Sequence, residues 1–73
     1  MTATDYCNKM GNLMRVYYNG NYDPDETIDY MKNVVDAADN QVKKGNLTDE
    51  DFEEVLNCFN ELELEINNNE KSN

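Results

Sequence analysis

Two stretches carry oxygen ligands at spacings that could hold calcium: residues 43–54, KKGNLTDEDFEE, and residues 19–30, NGNYDPDETIDY. An EF-hand loop needs ligand oxygens at positions 1, 3, 5 and 12, with glycine at position 6. With Gly45 at position 6, Asn40, Val42 and Lys44 fall at positions 1, 3 and 5, and Asp51 at 12. Valine has no ligand oxygen, the lysine ammonium repels the ion, and Asp51 is shorter than the bidentate Glu used at the last position. In the other stretch Asn19, Asn21, Asp23 and Asp25 alternate, but Pro24 replaces the glycine and Tyr30 stands at position 12. Both stretches are read as helix punctuation, with no metal and no cofactor.

The thiols offer little more. Cys7 and Cys58 form no CxxC pair, and the chain has no histidine to complete a metal site or to act as the base a nucleophilic thiol needs. Each lies on or beside an apolar stripe, so the expectation is two packed, reduced cysteines in a reducing compartment rather than a disulfide. Sixteen acids in 73 residues generate carboxylate pairs by chance, and a short helical chain has little room for a concave pocket. No catalytic residues are assigned and no enzyme is expected.

The charge balance is the strongest global signal. Sixteen acids against six bases give a net charge of −10 and a pI near 4.1. Such a chain is repelled by nucleic acid and anionic membrane and drawn to basic protein surfaces. From Asp49 to Ile66 there are eight acids and no base. On a helix, Glu50, Glu54, Glu61 and Glu65 line up opposite the apolar seam, with Glu53 and an outward-facing Leu64 beside them. Successive members of each i,i+4 pair stand about 6 Å apart along the axis, near the spacing of phosphates on a nucleic-acid strand. A solvated helix face is the plainer account of such a run. The sharper expectation is an acidic, protein-binding inhibitor or regulator, a DNA mimic of phage type acting on a basic nucleic-acid-binding host or defence protein. The thirteen asparagines fit an AT-rich coding sequence, as in a low-GC bacterium or its phage. In size and composition the chain resembles small acidic inhibitors encoded by phages, a likeness of class that no motif narrows. Tyr18 and Tyr22, in the run YYNGNY, are secondary interaction candidates. The alternative is a helical adaptor that self-associates, as a homodimer, or docks through a Met/Tyr-rich apolar face, its acidity serving only solubility.

Three elements would position these residues. Tyr6, Met10, Leu13 and Tyr17 recur at helical spacing over residues 4–18. Asp23-Pro24-Asp25-Glu26 places an N-cap acid, a proline at the first helical position and a capping-box Glu, opening a helix over 24–44 with Ile28, Met31, Val35, Ala38 and Val42 as its seam. Thr48 caps a third helix over 49–67, bracketed by Leu47 and Phe52 and continued by Val55, Phe59, Leu62 and Ile66. The expected fold is an all-α three-helix bundle in a single domain, residues 1–73. Its second and third helices form an antiparallel hairpin, and residues 68–73 are a polar, frayed tail. The opening residues carry no secretion signal, no segment is long and apolar enough to span a membrane, and the expected location is cytoplasmic.

Overall fold

The computed structural model describes residues 2–71. It is an all-α, three-helix bundle: α1 is Ala3–Tyr18, α2 Pro24–Lys43 and α3 Asp49–Lys71. Each helix packs against both others. Among the described residues there is no strand.

The helix starts form where the side chains can satisfy free backbone N–H groups. Thr2 precedes α1, its N–H donating to the Asp5 carboxylate at 2.8 Å. Asp23 accepts from the Glu26 N–H at 2.7 Å, and Pro24 follows at the first helical position, where its missing N–H costs nothing. Thr48 Oγ1 accepts from the Asp51 N–H at 3.1 Å.

The two corners share one construction. In the first, Gly20 adopts φ +83°, its N–H donates to the Tyr17 carbonyl, and the Asn21 N–H reaches back to Val16. In the second, Gly45 adopts φ +80°, its N–H donates to Val42, and the Asn46 N–H reaches back to Gln41. These are Schellman closures, which need a left-handed residue that glycine adopts without strain. Each Gly-Asn is followed by an apolar residue, Tyr22 or Leu47, and then by the N-cap of the next helix. The chain therefore reverses twice, with α2 antiparallel to α3 and α1 parallel to α3.

The core is the strip where the three seams meet. Tyr6, Met10, Met14 and Tyr17 of α1 are buried against Met31 and Ala38 of α2 and Val55 and Ile66 of α3. Leu47 closes one end of it, and Phe52, Phe59 and Leu62 pack half-buried around it. Thr27 is fully buried, and its hydroxyl donates to the Asp23 carbonyl at 2.8 Å, so its polar atom is satisfied.

Two expectations are corrected. Cys7 and Cys58 are joined in a disulfide, with Cα atoms 5.9 Å apart. The parallel run of α1 and α3 brings two residues 51 positions apart onto facing helix edges, within bridging distance. The expected frayed tail is also largely helical, because α3 continues through Lys71. Tyr17, only 7% exposed, donates its hydroxyl proton to Glu70 and accepts from the Asn69 amide at 2.8 Å. Those bonds hold the last turns of α3 to the end of α1. The remaining tail residues, Ser72 and Asn73, lie outside the described residues.

The cross-link closes a 51-residue separation in a chain too small to bury a large core. Replacing both cysteines by alanine is expected to lower stability by about 2–5 kcal/mol in urea titration, and thiol assay of the unreduced, unfolded chain should find no free thiol. Readily titrated thiols in protein purified without reductant would contradict the bond.

Candidate protein-binding surface

The outer face of α3 is built by the seam on its other side. Val55 and Ile66 are fully buried, which fixes the rotation of the helix about its axis. At 100° per residue, Glu50, Glu54, Glu61 and Glu65 then fall within a solvent-facing sector of about 60°. All four are exposed, as is Glu53, about 60° beyond the sector on the Leu64 side. The sequence-based candidates are therefore brought together on one ridge. Leu64 lies on the flank away from α1 and is 59% exposed, the largest exposure among the big apolar side chains described.

Among the described residues no cation forms an ion pair with this ridge. The one ion pair among the described residues joins Lys43 to Asp39 on α2, at 3.0 Å between Nζ and Oδ2. The ridge carboxylates thus point a largely uncompensated negative field into solvent. Like charges at i,i+4 cost a few tenths of a kcal/mol per pair in an isolated helix, a cost the buried seam and the Tyr17 bonds offset.

The tyrosines gather where α1 ends and α2 begins. Tyr18 is 53% exposed and stacks at a tilt on Tyr17, ring centroids 5.2 Å apart. Partial burial, followed by the neighbouring Glu65 carboxylate, raises its phenol pKa above the ordinary value. Glu65 therefore stands on the α1 side of the ridge, within reach of Tyr18. Tyr22 is half-buried and packs on Tyr30 at 5.0 Å, so of the two secondary candidates Tyr18 borders the ridge and Tyr22 serves the corner. The hydrogen bond to Glu70, then burial, raises the Tyr17 pKa. The negative field of Glu26, then burial, raises that of Tyr30.

Sequence reasoning missed the Tyr17–Glu70–Asn69 clasp. Its only signal is that positions 69 and 70 continue the three-four spacing from Ile66, although the residues there are polar. A cavity of about 300 Å³ opens at the opposite end, lined by Tyr6, Gln41, Asn46 and Leu47. Among the described residues no three potential ligand side chains converge as a metal site, and no helix is long and apolar enough to cross a membrane. Comparison with protein-family models, with curated proteins and with solved structures finds no match for the chain.

The raised phenol values have a definite pH consequence. A phenol that stays protonated in the folded chain after its unfolded counterpart ionises gives stability that is intact below about pH 10 and lost as pH rises beyond it. Tyr17→Phe is expected to cost about 1 kcal/mol at neutral pH, to loosen residues 67–71 in hydrogen exchange, and to blunt the alkaline loss. Tyrosinate absorbance should show the folded chain titrating late. An alkaline transition identical in wild type and Tyr17→Phe would remove this account of the clasp.

Proposed function

We propose that the protein is a small acidic regulator that binds a basic partner protein through the outer face of α3. The partner class that best fits is a nucleic-acid-binding protein, host or defence, whose groove the ridge occupies as a charge mimic of DNA or RNA, in the manner of a phage-encoded inhibitor. One observation carries the reading: Glu50, Glu53, Glu54, Glu61 and Glu65 are exposed together on one face, and among the described residues no cation forms an ion pair with them. Leu64 supplies an exposed apolar side chain beside the carboxylates, the kind of anchor that adds affinity to a charge-steered encounter. Binding by such a surface requires no catalytic group.

The alternative, an adaptor that docks or dimerises through its Met/Tyr-rich face, draws less support. Met10, Met14, Tyr6 and Tyr17 are buried in the bundle's own core, so that face is available only if α1 comes away. The cytoplasmic setting expected from the sequence belongs to the proposal, and the disulfide adds a condition to it. In a reducing compartment the bond is held only while its reduction potential lies below that of the thiol pool.

Charge-led binding weakens steeply with salt, whereas an apolar docking surface changes little. Immobilised protein is expected to capture basic, nucleic-acid-binding proteins from host lysate, identified by mass spectrometry, with recovery falling about tenfold between low and twice-physiological salt. The quadruple variant Glu50→Lys, Glu54→Lys, Glu61→Lys, Glu65→Lys should lose them while keeping its helical circular dichroism. Capture of the same proteins by the folded variant would end the proposal.

A further inference from the structure

The two halves of α1 are fastened by different means. Its C-terminal end runs into the corner at Gly20, and the Tyr17 clasp on Glu70 and Asn69 holds that same end. At the other end Thr2 and Asp5 bond to each other, and the Lys9 ammonium stands 5.6 Å over the Tyr6 ring, contacts that stay within the helix and its cap. Burial of Ala3, Tyr6 and Met10 and the bond from Cys7 to Cys58 fasten this first half to the other helices.

Packing beneath the first half is incomplete. The cavity of about 300 Å³ is lined by Tyr6, the neighbour of Cys7, together with Gln41, Asn46 and Leu47 from the end of α2 and the corner after it. It has room for several water molecules. The first half of α1 thus covers a hollow, where the second half meets a clasp. Segments with sparse packing are those that open locally, short of unfolding.

The bond is also within reach of solvent. Cys7 and Cys58 are each half-buried, and each stands about 60–70° of helix rotation from the buried residues of its own helix. The two sulfurs therefore lie on the outer seam between α1 and α3 and not in the core.

We propose that Cys7–Cys58 is a redox latch on one end of α1. Closed, it keeps Ala3–Met10 over the cavity; opened by a dithiol reductant, it frees that segment while α2, α3 and the Tyr17 clasp stay in place. A thiolate of the dithiol attacks one sulfur of the bond and displaces the other cysteine as thiolate. The second thiol of the reductant then displaces the mixed disulfide. The cysteines gain two electrons and two protons, and the dithiol leaves as its own disulfide. Opening uncovers Tyr6 and Met10, which the closed bundle hides. The latch does not depend on the acidic-ridge reading, and it makes the shape of the chain follow the thiol poise of its surroundings.

A latch on one helix end and a staple of the whole fold differ in where the chain loosens. Trypsin separates them, since α1 contains Lys9 and α2 contains Lys32. The oxidised protein is reduced with dithiothreitol without denaturant, then desalted under argon. It is expected to show both thiols free and to keep most of its helical circular dichroism. Cleavage after Lys9, followed by mass spectrometry, should accelerate on reduction about tenfold more than cleavage after Lys32. Reoxidation with oxidised glutathione should restore both rates. The double variant Cys7→Ser, Cys58→Ser should match the reduced chain with or without dithiothreitol. Equal acceleration at Lys9 and Lys32, or loss of the helical signal on reduction, makes the bond a staple of the whole fold and overturns the latch. A bond that resists dithiothreitol until denaturant is added overturns it as well.

Discussion

The structure depends on holding α1 against a hairpin that carries most of the negative charge. α3 has nine acids and one base, and α2 five acids and two bases, whereas α1 has one acid and two bases. The bundle is thus a weakly positive helix laid on a strongly negative pair. No direct ion pair joins α1 to either partner among the described residues, where the single pair lies within α2. Attachment falls instead to buried Met10 and Met14, to the Cys7–Cys58 bond and to the Tyr17 clasp on Glu70 and Asn69. Two of those three ties are made to α3, the helix with the greatest self-repulsion.

This division of labour leaves α3 with two independent faces. Its inner face is fixed by burial of Val55 and Ile66 and by the cross-link at Cys58, which together set rotation and height. Its outer face is free to concentrate like charge because none of its glutamates is needed to hold the fold. A protein that spread the same acids evenly would meet solubility needs equally well. Gathering them on one exposed side gives the molecule a directional field, and a partner with a basic groove experiences that side first.

Much of this was legible in the residues because the signals are local. An N-cap three positions before the acid it serves, a glycine after a seam and a three-four apolar rhythm all lie within one or two turns. They placed each helix end that the corners define to within about one residue. The outward direction of Glu50, Glu54, Glu61 and Glu65 followed from the same rhythm. What failed was tertiary. Nothing within ten residues of Cys7 indicates that Cys58 will face it, since that depends on the parallel alignment of α1 and α3. The three consecutive asparagines before Glu70 read as a frayed end by helix propensity, and a buried tyrosine hydroxyl from another helix overrides that preference.

The twin corners set how the molecule can be altered. Each packs a helix stop, an apolar plug and a helix start into five residues, so no position in either is merely spacer. Lengthening one would uncouple two caps at once and let the adjoining helices turn about their axes, carrying the acidic side away from its present bearing. A tether or reporter therefore belongs at the chain ends, and a designed binding face belongs on the solvent side of α2.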